Sequence, residues 1–189
     1  MIGLCCRVLA VLLALPKFSA EPTPETDAAR ESRLRPYGSA IADATEYRPR
    51  GISAELWAAA LVELGRAESG FAAYVTDDRC LEGPYRCDVD PETGAPRARG
   101  AFQVWRAPRE PYPACRAVWA LPHDHVHRRR AEAVCASQRL AGAYHRCRGR
   151  HPDGDIAAAF AGFRSIDCEW APAGARSARA YALAGRLGL

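Results

Sequence analysis

Six cysteines, at positions 80, 87, 115, 135, 147 and 168, constrain this chain more than any other feature, because the segment before them sets their chemistry. Arg7 is followed by an apolar stretch, Val8 to Leu15, far shorter than the ~20 residues that a bilayer span requires. Phe18-Ser19-Ala20 closes it with small residues near a cleavage point, so residues 1–20 read as a secretory signal peptide. Cys5 and Cys6 leave with that leader. The even number that remains, in a periplasmic or secreted protein, favours three disulfides over thiol chemistry. Sequential pairing (Cys80 with Cys87, Cys115 with Cys135, Cys147 with Cys168) is favoured because each pair closes a short local loop between predicted elements. No CxxC pair occurs, so zinc-ribbon, thioredoxin-like and c-haem readings have no support.

A chain of 189 residues has room for one domain with a sizeable core plus a tail. With 49% hydrophobic and 25% charged residues, it is neither disordered throughout nor collagen-like. The formal charge of +4 resembles a nucleic-acid signature until its origin is traced. All but one of the 26 cations are arginines, they are spread along the whole chain, and Arg128-Arg129-Arg130 is the one run. A phosphate-binding surface needs clustering. Without Arg7 and Lys17, 24 arginines face 22 acids, and the net charge of +2 argues for no particular partner, nucleic acid included.

Residues 21–33 carry two prolines and many charges without periodicity and read as a flexible tail, which puts the folded domain at 34–189. A short helical stretch holding Ile41, Ala44 and Thr45 is ended by Pro49-Arg50-Gly51. The strongest helix follows, capped by Ser53 and running to about Ser69. From about Ala72 to Arg99 no helical period is sustained, so loops with short strands are expected there. Helical spacing returns at Val126, Ala133, Val134, Ser137, Leu140, Ala141 and Tyr144, then at Ile156, Ala159, Phe160 and Phe163, and a last helix spans roughly Ala175 to Leu187. The expected architecture is mainly α: a disulfide-stapled helical bundle with a small irregular or β lobe inserted after the first core helix.

One carboxylate stands out on that helix. At about 100° per residue, Trp57, Leu61, Leu64 and Glu68 fall within roughly 60° of one another, whereas Glu55 and Glu63 point to the opposite side. A charged carboxylate on an apolar stripe is costly unless it is paired or protonated. Burial raises the pKa of a carboxyl group, which is what a general acid working near neutral pH needs, and the negative end of the helix dipole acts in the same direction. Gly70 lets the chain open into a cleft just beyond Glu68. The alternatives are an ordinary exposed end residue or a partner for one of the many arginines.

The stretch Ala60-Leu61-Val62-Glu63-Leu64-Gly65-Arg66-Ala67-Glu68-Ser69-Gly70-Phe71, with Gly100-Ala101-Phe102-Gln103-Val104 after it, resembles the lytic transglycosylase family with its lysozyme-like domain. There an apolar helix ends in a Glu-Ser pair and a Gly-x-x-Gln segment follows. The resemblance implies an α+β lysozyme-like fold over roughly Leu34 to Leu187, with Glu68 as catalytic acid/base and Ser69 helping to orient it. It also implies that Gly100, Ala101, Phe102 and Gln103 line a glycan groove. A third family block, Ala-Tyr-Asn-like, falls on Ala159-Phe160-Ala161-Gly162, so Phe160 stands where a tyrosine would hold the catalytic carboxyl and Ala161 where the family has asparagine. The segment from Cys80 to Cys87 looks like an insertion at the cleft edge.

Glycosidic cleavage commonly uses two carboxyl groups. In lytic transglycosylases the substrate supplies the second function through its acetamido group and 6-hydroxyl, which yields an anhydro-sugar end. Candidate second carboxylates for a hydrolase are Asp77, Asp78, Asp88 and Asp90, all of which also suit turns. Asp88-Val89-Asp90-Pro91-Glu92 spaces its acids like a calcium loop, but Thr93 and Arg99 occupy the positions that need Gly and Glu. His123, His125 and His127 alternate, and on a helix such residues face apart, so they read as the polar start of a helix rather than as zinc ligands. No metal or cofactor is called for. The expected protein is a monomer acting on peptidoglycan glycan strands without a stable membrane span. The alternatives are a lysozyme-type hydrolase, a catalytically weak module that binds cell-wall glycan, and a secreted interaction protein in which Glu68 is incidental.

Overall fold

The computed structural model describes residues 3–16, 25–76, 90, 92–107, 109–151 and 156–189, and among these residues the regular structure is eight α-helices, two single-turn 3-10 helices (Thr45–Tyr47 and Arg148–Arg150) and one short β-ribbon. The helices are α1 (Leu4–Leu13), α2 (Asp27–Ala44), α3 (Ala54–Ser69), α4 (Ala73–Thr76), α5 (Pro113–Ala120), α6 (Arg128–Cys147), α7 (Ala157–Arg164) and α8 (Ala173–Leu187). Between α4 and α5, β1 (Ala98–Arg99) pairs antiparallel with β2 (Val104–Trp105), with Ala98 opposite Trp105. The chain is thus mainly helical with a small β element after the first core helix.

Helix α3 starts and stops where its sequence says it should. The Ser53 hydroxyl accepts from the Leu56 amide at 3.1 Å, and Gly70 closes the helix in the left-handed conformation (φ 62°). Its burial differs from the expected two-sided pattern: every residue from Leu56 to Gly65 is buried, Glu63 included. Helices pack against α3 from several directions, α8 most extensively, and Glu63 is accommodated by ion pairs to Arg66 (2.6 Å) and to Arg179 of α8 (2.8 Å). The second axis is α6, against which α2, α5 and α7 lie.

The flexible tail expected over 21–33 is corrected from residue 27 onward, and the folded body begins before residue 34. The Thr26 hydroxyl caps α2 by accepting from the Ala29 amide (3.2 Å), and Asp27 to Arg33 form its first two turns. Arginines take the place of apolar residues there. Arg30 donates to the Leu15 carbonyl (2.7 Å), and Arg33 grips both Glu25 oxygens and the Phe71 carbonyl (2.8 Å). Further along, Leu34, Tyr37 and Ile41 enter the core. Helix α1 lies on α2 and α8 with Val8, Val11 and Leu12 buried, and Arg7 binds the Leu187 carbonyl and Glu55.

Two disulfides match the sequential pairing. Cys115–Cys135 joins α5 to α6, and Cys147–Cys168 ties the end of α6 to the segment after α7. The expected Cys80–Cys87 pair lies outside the described residues. Among the described residues no helix is long and apolar enough to cross a membrane.

Candidate functional site

Glu68 sits in the last turn of α3, where α7 and α8 converge. Its side chain is only 9% exposed, and its Oε1 is bound by Arg164, the last residue of α7, and approached by Arg176 of α8 at 3.5 Å. Of the settings the sequence leaves open for Glu68, pairing with arginines is the one observed, because the convergence of helix ends brings two guanidiniums to it. The two differ in freedom: the Arg164 side chain is 42% exposed, the Arg176 side chain 11%. Arg176 also lies over the Trp170 ring at 4.6 Å, and burial pulls its pKa down against the opposing pull of Glu68.

Beside Glu68, Ser69 fastens α3 to the segment that follows β1. Its hydroxyl donates to the Ala101 carbonyl (2.7 Å), with the Gly65 carbonyl at 3.1 Å, and accepts from the Phe71 amide (3.1 Å). The turn it holds is shaped from behind by a residue that sequence reasoning missed. Glu132 is fully buried and accepts from the Tyr37 hydroxyl (2.7 Å), the Ala101 amide (3.1 Å), Arg128 Nε (3.1 Å) and Arg129 Nη1 (3.2 Å). Burial pushes its carboxyl up from the ordinary range while Arg129, the Tyr37 hydroxyl and Arg128 pull it back. Burial, and then the neighbouring Glu132 charge, push the Tyr37 phenol up.

Glu132 explains why residue 100 is glycine. Gly100 has φ +69°, and a Cβ there would lie 2.2–2.5 Å from the Glu132 carboxylate. The turn continues through Gln103, itself at φ 47°, whose Nε2 donates to the Gly100 carbonyl (3.1 Å). The signals in the sequence were that glycine and the i, i+4 spacing of Arg128 and Glu132.

Glu68 and Gln103, far apart in sequence, meet on one open cleft of about 400 Å³. Trp105, Tyr112 and Phe163 give it aromatic walls, and Arg139, Arg146 and Arg164 give it charge. Gly142 and Gly162 line it where α6 comes close to Tyr112 and to α7; a Cβ on Gly162 would lie 2.6 Å from Cys147 Sγ. Trp105, 52% exposed, borders both this cleft and a neighbouring cavity of about 330 Å³ that contains Glu110 and Trp119.

Other expected site residues lie elsewhere. Gly100, Ala101, Phe102 and Phe160 are buried and do not line the cleft. Gly100 to Phe102 form the inner side of the turn that presents Gln103. For Phe160 the sequence indicates the right helix but the wrong face: α7 turns Phe160 into the core, and Gly162, Phe163 and Arg164 reach the cleft. Asp90 caps a local turn by accepting from the Glu92 (2.9 Å) and Thr93 (3.0 Å) amides, which hold its carboxyl below the ordinary range, and it does not line the cleft. Asp77, Asp78 and Asp88 lie outside the described residues. His123, His125 and His127 precede α6, the last two with rings 5.4 Å apart, and no group of metal-ligating side chains forms among the described residues. No protein-family model, curated protein or solved structure matches the chain.

Proposed function

We propose that this chain is an exported, lysozyme-like muralytic enzyme that cleaves the MurNAc–GlcNAc β-1,4 linkage of peptidoglycan, with Glu68 as general acid/base. The observation that carries this reading is the meeting of the Glu68 carboxylate and the Gln103 side chain on one aromatic-walled cleft. Sugar rings bury their apolar faces against aromatic side chains. Two disulfides and the absence, among the described residues, of a membrane-spanning helix are compatible with a periplasmic or secreted location.

Glu68 is the one carboxylate that lines the cleft among the described residues, which favours a reaction needing a single protein acid. Protonated Glu68 gives its proton to the glycosidic oxygen as the C1–O bond breaks. The 6-hydroxyl of the same MurNAc forms the new C1–O6 bond and returns its proton to Glu68, so that no water is consumed and 1,6-anhydro-MurNAc results. The acetamido group supports the developing charge at C1. A hydrolase would deliver water instead and would need a second carboxylate, for which Asp77, Asp78 and Asp88 remain, since Asp90 is engaged in its own turn away from the cleft.

A second reading, a wall-glycan binding module without turnover, is favoured by the pairing of Glu68 with Arg164 and Arg176 and by the inward-turned Phe160 where the family has a tyrosine hydroxyl. Digestion of purified sacculi separates the readings. Anhydro ends are expected, and reducible ends in their place would mean hydrolysis. Glu68→Gln should lower turnover at least ~10²-fold, and near wild-type lysis by that variant would remove Glu68 from the chemistry. Binding to sacculi with no soluble product would establish the second reading.

A further inference from the structure

The charge of the cleft is more than a neutral glycan needs. Three guanidiniums line it against one carboxylate, and they are not equally satisfied. Arg139 is paired with Glu110 and also donates to the Trp105 carbonyl (3.1 Å). Arg146 donates to the Gly162 carbonyl (2.5 Å), two residues before Arg164 on α7, and among the described residues it has no carboxylate partner. Arg164 lies over Glu68 with much of its side chain in solvent, while the more enclosed Arg176 approaches the same oxygen. Glu68 therefore has one solvent-facing partner and one enclosed partner.

Guanidiniums recognise carboxylates through strong, directional hydrogen bonds. An arginine that leaves one carboxylate for another exchanges one ion pair for an equivalent one, so the move has a small net cost when the second carboxylate is already bound beside it. Departure of Arg164 also uncovers the Glu68 oxygen that it binds, the atom a general acid must present to the glycosidic oxygen.

We infer that Arg146 and Arg164 form a carboxylate-reading subsite, which takes an acid-bearing sugar such as one with a lactyl ether carboxylate or the peptide attached through it, and whose occupation draws Arg164 off Glu68. The inference rests on the glycan reading of the cleft and adds to it which residues read the acid of the sugar and how that reading reaches Glu68, so that anionic glycans are preferred over neutral ones of the same length. The site would thereby distinguish a muramyl glycan from a chitin-type one by charge, a selection separate from the shape of the cleft. Arg146 anchors the substituent, and Arg164 couples it to the acid.

The test is calorimetric binding of two tetrasaccharides to the full chain carrying Glu68→Gln, which prevents turnover. One is the neutral GlcNAc tetramer and the other an alternating GlcNAc–MurNAc tetramer with free lactyl carboxylates. The acidic tetramer should bind more tightly, and adding Arg146→Gln should weaken it by about tenfold or more, the size expected for a charged hydrogen bond, while affinity for the neutral tetramer is retained. That retained affinity also shows the variant to be folded. In the Glu68 form, Arg164→Gln should narrow the ratio of lysis rates between acidic and neutral glycans. Equal affinity for both tetramers, or an equal loss on both in Arg146→Gln, overturns the subsite and leaves the glycan reading standing. Absence of binding by either overturns the glycan reading and the subsite with it.

Discussion

Two glutamates show how little the sequence position of a carboxylate says about its setting. Helical angles put Glu63 on the polar side of α3, yet it is enclosed, because its partner Arg179 arrives from α8, more than a hundred residues later. Burial raises the Glu63 carboxyl, and Arg66 and Arg179 more than offset this, so its pKa lies below the ordinary glutamate range. A lowered folded-state pKa stabilises the protein above the unfolded-state value, and that contribution is lost as pH falls through the folded-state one. Glu63→Gln is accordingly expected to lose about 1–3 kcal/mol at neutral pH, the scale of hydrogen bonds to charged groups. The gap to wild type in urea titrations should close as pH drops below the glutamate range; a gap that is constant with pH would mean the pairs contribute only packing. Glu132 was equally hidden, since Tyr37 and the Ala101 amide reach it from other parts of the chain. Its contact with the Gly100 turn predicts that Gly100→Ala costs about 2–4 kcal/mol, combining a disfavoured positive φ with overpacking against the carboxylate. A melting point unchanged by that substitution would show that the turn can move away from Glu132.

At the scale of elements, legibility followed apolar periodicity. Helices α3, α6, α7 and α8 appeared in the sequence because apolar residues recur along them and because Ser53 and Gly70 mark the ends of α3. Helix α2 was legible only around Ile41 and Ala44; its first turns are polar, Pro36 lies inside it, and Arg30 and Arg33 are satisfied by carbonyls and a carboxylate on other segments. Such long-range satisfaction has no local pattern. Helix α7 shows the opposite limit: its periodicity is clear, yet the resemblance pointed to Phe160, which faces the core, and not to Gly162, Phe163 and Arg164, which reach the cleft. The fit of α7 against α6 depends on Gly162, where a Cβ would meet Cys147 Sγ at 2.6 Å and the Ala143 carbonyl at 2.7 Å. Gly162→Ala should therefore destabilise the fold by about 1–3 kcal/mol, read as a lowered thermal midpoint, and on the proposed glycan reading of the cleft it should also reduce binding of glycan, because the same residue lines the cleft. Loss of stability with unchanged glycan affinity would separate the helix contact from the site.

At the scale of the molecule, the two disulfides among the described residues close loops of similar length, with separations of 20 and 21 residues, and on chain entropy alone they contribute equally, about 3 kcal/mol each. Reduction of both should lower the thermal midpoint by on the order of 10 °C. Their positions make them unequal for function. Cys115–Cys135 joins α5 to α6 beside the neighbouring cavity, whereas Cys147–Cys168 spans α7 from the end of α6 to a point four residues beyond Arg164. Cys147 also lies against Gly162, so this bridge fixes the segment that brings Arg164 to Glu68. On the proposed glycan reading, replacing Cys147 and Cys168 by alanine is therefore expected to weaken glycan binding severalfold at a temperature where the protein remains folded. The Cys115 and Cys135 double variant, matched in loop length, should lose comparable stability and retain its affinity. Calorimetry for stability and oligosaccharide titration for affinity, run on both variants, decide between this and a purely entropic role; equal loss of affinity in the two would mean that the bridge near Arg164 has no special hold on the cleft.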